Sequence, residues 1–268
     1  MRRDTELPTD PAGTLNRQKW DAARFHETLA LLVGARPGNH VLDLGCGRGA
    51  TLGPLLRAVG DEGKVVGLDR MSLALADSAL RHAPAIQCSR LTLVRGELAA
   101  LPFSNDAVDA VLCQNVAECV HDRQTLVAEA WRVLKPGGTL LLGHHDFDGI
   151  LLASDERDLT RRLVHGFADR KQNWQEACEG QMGRMLPGLV AHAGFASVEI
   201  EARLFVDLDL GEGSYARDYV GWVVELAPTL GIPRDETERW ASGLARAADE
   251  RRFFFGLPWI GAVCRKAS

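Results

Sequence analysis

Gly45, Gly47 and Gly49 alternate with Cys46 and Arg48 directly behind the apolar run Val41-Leu42-Asp43-Leu44, and Ala50-Thr51-Leu52 opens a helical pattern after them. A glycine loop between a strand and a helix lets a ligand approach bare backbone, and it aims helix N–H groups and the positive dipole end at that ligand. This is the chemistry of a nucleotide-cofactor loop. The spacing satisfies both G-x-G-x-G and the dinucleotide form G-x-G-x-x-A, so it does not choose the cofactor. Asp43 does. An anion two residues ahead of the first glycine repels a pyrophosphate and attracts an amino-acid ammonium. Asp69 ends a second apolar run, Val65-Val66-Gly67-Leu68, at the distance where doubly wound folds place an acid on ribose hydroxyls. Ammonium and ribose together favour S-adenosylmethionine over a nicotinamide dinucleotide.

The elements that must hold these residues alternate along the chain. Strand patterns lie near 40–45, 64–69, 91–96, 107–114 and 138–145 with helical stretches between them, which predicts an α/β fold with a parallel, doubly wound sheet. Pro136-Gly137-Gly138 breaks the helix that ends at Leu134 and feeds the fifth strand. Upstream, residues 1–15 read as disordered, and Arg17 to Val33 as a helix with Trp20, Phe25, Leu29 and Leu32 near one face. Downstream, Ala193 to Leu208 suggests a sixth strand and Arg252 to Arg265 a last one.

Four motifs in order resemble the class I S-adenosylmethionine-dependent methyltransferases: VLDLGCGRG at Val41–Gly49, VVGLD at Val65–Asp69, RGELAALPFSNDAVDAVLCQNV at Arg95–Val116, and RVLKPGGTLLL at Arg132–Leu142. The chain looks most like the small-molecule branch that includes ubiquinone, menaquinone and bacterial natural-product methyltransferases. The resemblance implies a Rossmann-like seven-stranded sheet whose last strand is antiparallel, a leading helix as a lid, and one domain over 16–268 with helical cap insertions at about 147–190 and 211–250. It also implies a set of cofactor residues. Gly45, Cys46, Gly47 and Gly49 would line the methionine part, Asp43 its amino group, and Asp69 with Arg70 the ribose. Gly96, Glu97 and Leu98 would meet the adenine, while Gln114 and Asn115 would lie beneath the sulfonium.

Ligands in open α/β sheets bind beyond the carboxyl ends of the strands. There the chain carries Glu118 and His121 after the fourth strand, and His144, His145, Asp146 and Asp148 after the fifth. His121 precedes Asp122, an expected helix N-cap. Strand alternation sends His144 and His145 to opposite faces. A sulfonium methyl is already electrophilic, so alignment of the acceptor is the main task, and a base serves only acceptors that must lose a proton. Position makes His145, Asp146 and Glu118 the candidate bases, and Trp20, His144, His145 and Phe254 the candidate acceptor contacts.

Composition limits the partners. Acidic residues number 36 against 31 basic ones, a formal charge of −5 that offers no general attraction to a polyanion, so nucleic acid is not expected. No apolar segment has membrane-spanning length, and the expected location is cytoplasmic. The six cysteines form no C-x-x-C pair, and no metal site is expected. The expected partner is a small-molecule acceptor, planar or apolar to suit the aromatics of the lid, cap and closing strand, with a homodimer as an admissible assembly. The alternatives are a protein that binds the same cofactor for sensing or cyclisation, and a nicotinamide oxidoreductase.

Overall fold

A computed structural model describes residues 22–173 and 175–268. The chain runs α1 (Ala22–Leu32), β1 (His40–Leu44), α2 (Leu52–Val59), β2 (Lys64–Asp69), α3 (Ser72–Arg81), α4 (Ala83–Gln87), β3 (Leu91–Arg95) and β4 (Val108–Gln114). It continues through α5 (Arg123–Val133), β5 (Leu134–His145), β6 (Leu151–Leu152), α6 (Arg157–Ala168), α7 (Met182–Val190), β7 (Ser197–Asp207), α8 (Tyr215–Leu226), α9 (Arg234–Asp249) and β8 (Phe255–Arg265). The expected disorder of residues 1–15, and Trp20, lie outside the described residues.

The sheet order is β3-β2-β1-β4-β5-β8, with β7 on the far side of β8. β1 to β5 are mutually parallel, and β8 runs antiparallel to β5, Thr139 facing Arg265 and His145 facing Trp259. The doubly wound expectation and the antiparallel last strand both hold. The sheet has eight strands and not seven, because Leu151 and Leu152 add a short β6 that pairs with Gly256 and Phe255.

Both faces of the central strands are covered, which is why β1 reads as a nearly continuous apolar run. On one face Phe25, Leu29 and Val33 at the α1 end and Leu52, Leu55 and Val59 of α2 pack against Val41, Val65, Leu112, Leu141 and Trp259. On the other, Leu126, Val127 and Ala130 of α5 and Leu186 and Val190 of α7 pack against Leu42, Val111, Leu140 and Leu142. α5 starts where its cap predicts, since Asp122 accepts a 2.9 Å bond from the Thr125 backbone N–H. A third cluster joins α6, α8 and α9 through Leu163, Tyr219, Val223, Trp240 and Leu244, and reaches Phe255 and Leu257 of the sheet. Trp240 donates to Thr160 Oγ1 at 2.9 Å, which satisfies the indole buried between α6 and α9.

The cap is smaller than the sequence suggested. α7, placed within the first insertion, is a layer helix of the sheet. It is held there by Asp146 at the end of β5, which is 2% exposed and accepts from the Arg184 backbone N–H (2.9 Å), Nε (3.0 Å) and Nη2. A carboxylate used in this way, at the first turn of α7, fastens that helix to the sheet.

Asp146→Ala is expected to lower the unfolding free energy by about 2 kcal/mol, below the cost of a fully buried pair because the Arg184 side chain is about half exposed. Arg184→Ala should cost a similar amount, and the double variant little more than either single one. Urea denaturation of the three variants checks this; strictly additive losses would contradict it.

Candidate functional site

The glycine loop is shaped by two neighbours. Gly45 and Cys46 donate backbone bonds of 2.8 and 3.0 Å to Leu68 O, which fastens the loop to β2. Asp69 then ties both sides together, its Oδ2 accepting from Gly47 N and its Oδ1 from Met71 N, each at 2.8 Å. Gly45 has φ +71°, and a Cβ there would fall 2.3 Å from Val116 Cγ2. Only glycine fits this turn.

Two cavities share Gly45 and Asn115 in their walls. One, of about 210 Å³, is lined by Gly45, Gly47, Leu68, Asp69, Arg70 and Met71 on one side, and by Gly96, Glu97, Leu98, Val116, Cys119 and Val120 on the other. The second, of about 220 Å³, lies over Asp43, Gly45, Cys46, Gln114 and Asn115, and is closed by Phe25, His26, Thr51, His145 and Tyr215. Asp43 is 3% exposed. Burial, with the Asp69 charge adding to it, pushes its carboxyl up to about 8. No Lys or Arg is among the described residues that line this second cavity.

A chain of hydrogen bonds orders the floor of that cavity. Trp259 Nε1 donates to Gln114 Oε1 at 2.9 Å, and this turns Gln114 Nε2 toward Asn115 Oδ1 at 2.8 Å. The His145 backbone N–H donates to the same Oδ1 at 3.0 Å. His145 Nδ1 lies 2.8 Å from Asn115 Nδ2 and 3.1 Å from Asn115 Oδ1, so it meets both atoms of the amide and either ring tautomer has a partner there. Burial pulls the His145 pKa down to about 3, with His144 and His26 adding to the effect, so the ring is neutral. Gly143 makes the chain possible, since a Cβ there would lie 2.4 Å from Gln114 Oε1 and 2.8 Å from Trp259 Cζ2. Asn115 itself holds φ +55°, a conformation that Asn tolerates better than most residues.

The predicted residues divide clearly. Asp43, Gly45, Cys46, Gly47, Asp69, Arg70, Gly96, Glu97, Leu98, Gln114, Asn115 and His145 line one cavity or both. Gly49 lines neither, because its carbonyl is turned to His82 Nε2 (2.8 Å) and its α-carbon to Ser78. Asp146 is bonded to Arg184. His144 is fully buried on the opposite face of β5 from His145, its Nδ1 at 2.7 Å from His145 O and its Nε2 3.8 Å from Glu118. Glu118 lines neither cavity and accepts from Gln175 Nε2 at 3.1 Å. Phe254 sits just before β8, where its carbonyl accepts from Ala153 N. His26, on the lid helix with Nδ1 2.8 Å from Thr51 Oγ1, is a wall residue that the sequence did not single out. A lone histidine on an amphipathic helix carries no signal, and only the docking of α1 on α2 shows its use.

Residues 42–142 match the family described as a methyltransferase domain. The chain is 34% identical over 177 residues to an uncharacterized 37.1 kDa protein in transposon Tn4556 of Streptomyces fradiae, covering 66% of this chain and 49% of that one. It is 33% identical over 132 residues to a 2-phytyl-1,4-naphtoquinone methyltransferase of Synechococcus elongatus, covering 48% and 57%. The chain thus spans about half the length of these curated relatives. Among solved structures, the YcgJ protein of Bacillus subtilis superposes with a TM-score of 0.60 at 18% identity over 91% of this chain and 99% of that one, a likeness of fold. Residues 42–142 thus resemble a methyltransferase domain, and the solved structure shares the fold.

Burial pushes the Glu118 carboxyl up to about 7 from an ordinary 4.5. A pKa raised by folding favours the native state while the group is protonated, and that advantage is lost as pH climbs from about 4.5 to about 7. Glu118→Gln keeps an oxygen for Gln175 and removes the titration. It is expected to reduce the loss of stability between pH 5 and 8, to which Asp43 still contributes, and to leave the variant more stable at pH 8 by up to about 3 kcal/mol. Urea denaturation at the two pH values checks the sign.

Proposed function

We propose that the protein transfers the methyl group of S-adenosylmethionine to a small, aromatic or apolar acceptor. The observation that carries this reading is Asp43, a carboxylate buried at the glycine turn with the cavity in front of it. Its burial cost is relieved by an ammonium beside it. The residues present fit the cofactor: Asp43 for the amino group, Gly45 and Gly47 as a cradle without side chains, and Asp69 for the ribose. Glu97 and Leu98 lie in the other cavity for the adenine. When bound, the cofactor supplies an electrophilic methyl on sulfur.

The chain's own task is then to position the acceptor. Holding a nucleophile in line can contribute about 7–11 kcal/mol to lowering the barrier. Phe25, Tyr215 and the neutral imidazoles of His26 and His145 give the second cavity an apolar wall with a few polar atoms. This suits an uncharged ring, and the naphthoquinone in the name of one relative supports the same class. Burial, which pulls its pKa down to about 3, makes His145 a poor proton acceptor, and it serves as a neutral wall of this cavity. His26 is better placed as a base than Asp146 or Glu118, which face away from both cavities. No helix among the described residues is long and apolar enough to cross a membrane.

Two measurements test this reading. Calorimetry with S-adenosylhomocysteine should show affinity rising with pH by up to about tenfold per unit until about pH 8, because binding expels the Asp43 proton. Asp43→Asn should bind about ten- to a hundredfold more weakly with a flat pH profile. Failure of the wild-type chain to bind would remove the reading. In labelled-methyl assays on phenols and hydroquinones, His145→Ala should lose about tenfold or more in kcat/KM, with the inflections of the pH profile unchanged. Disappearance of an inflection in that variant would restore His145 as the base.

A further inference from the structure

β7 closes the sheet on one side. β8 pairs with it along its whole length, from Ser197 facing Arg265 to Asp207 facing Phe255, and no described strand pairs with its other side. From Val198 to Leu204 its residues alternate, and Phe205 then interrupts the charged row. Val198, Ile200, Ala202 and Leu204 form an apolar row on one face, while Glu199, Glu201 and Arg203 form a charged row on the other. Val198 and Ile200 stand opposite Cys264 and Ala262 of β8, on the face where α7 packs, yet α7 leaves the row open. Val198, Ile200 and Leu204 are 38%, 46% and 37% exposed. A long, regular edge with an open apolar row is a template for another strand.

We propose that β7 pairs antiparallel with β7 of a second copy of this chain, about a two-fold axis at Ala202, to join two sheets into one. Charge selects both the occupant and the register. With Ala202 facing its own copy, Glu201 faces Arg203 of the second copy and Arg203 faces its Glu201, so two opposite-charge pairs flank the axis. The same register sets Ile200 against Leu204 and Val198 against Val206, which extends the apolar rows across the junction. The neighbouring symmetric registers fail. An axis at Glu201 or at Arg203 puts like charges face to face, and an axis at Ile200 sets Glu199 against Glu201. A slip of one residue sets the charged row against the apolar one. The Glu201–Arg203 contact within one strand is loose, 3.9 Å, with both side chains partly exposed, and leaves each group available to the opposite strand.

The pairing is independent of methyl transfer, and its test is the mass of the full chain in solution by sedimentation equilibrium. The wild type is expected to form a dimer. Ile200→Lys is expected to be a monomer with unchanged circular dichroism and unchanged S-adenosylhomocysteine affinity, since neither cavity includes this position. At low salt, Glu201→Arg and Arg203→Glu should each weaken the dimer by about tenfold or more, and the charge-swapped double variant should recover to within about threefold of the wild type. A wild type that stays monomeric at high micromolar concentration overturns the proposal, whether another segment of this chain or a different partner covers β7. A dimer indifferent to Ile200→Lys, or one that the charge swap does not restore, overturns the interface and its register.

Discussion

A carboxylate taken out of water beside glycine backbone can keep its charge only if a cation comes to it. Asp43 is in that position, and the turn that follows it depends on the same constraint. Glycines must form the loop because Val116 closes on Gly45 from the end of the fourth strand. Asp69 must stop at the loop, because its carboxylate links Gly47 to the start of α3. The parallel pairing of β1 with β2 and β4 brings all three to one place, since each stands at or just beyond the carboxyl end of a strand. Asp43 carries the cost of an uncompensated buried acid, which under the proposed reading the ammonium of a ligand relieves.

The other half of the site rests on a hydrogen-bond chain that no local pattern contains. Trp259 comes from the last strand, Gln114 and Asn115 from the fourth, and His145 from the fifth. They meet because β5 lies between β4 and β8 in the sheet. Each donor fixes the orientation of the next amide, and the sequence of bonds ends at Nδ1 of His145. Position alone made that ring a candidate base. Burial keeps the ring neutral, and that burial depends on the relation between distant strands.

Most of the residues expected around the cofactor come together along two cavities for a simple reason. Val41 to Gly49, Val65 to Asp69 and Arg95 to Leu98 are each short segments whose backbone conformation and burial follow from their own residues, so their functional atoms are placed by local rules. The doubly wound sheet and the antiparallel closing strand followed from the same run of motifs. The acceptor side was not legible in this way. Asp146 and Glu118 stood at the expected height beyond the strands, but Arg184 of α7 claimed the first and Gln175 the second. His26 gave no sign of its place, because its signal is the angle at which α1 crosses α2. Leu151 and Leu152 became a strand only because β8 extends past β5 and offers them an edge.

This division also bears on how such a domain diversifies. The donor half is held by backbone bonds and by glycines that admit no side chain, so substitution there breaks the turn itself. The wall of the second cavity is completed by side chains from α1, from the end of β5 and from α8, which are anchored through separate clusters. Phe25 meets Phe205 edge to face at 5.0 Å and His145 at 5.4 Å, so the lid rests on aromatic contacts whose geometry tolerates replacement better than a hydrogen-bonded turn does. A change at Phe25, His26 or Tyr215 reshapes the pocket and leaves Asp43 and the glycine loop as they are. Specificity for the acceptor can therefore shift while the methyl donor's seat stays constant, and the reason lies in which half is built from backbone and which from side chains.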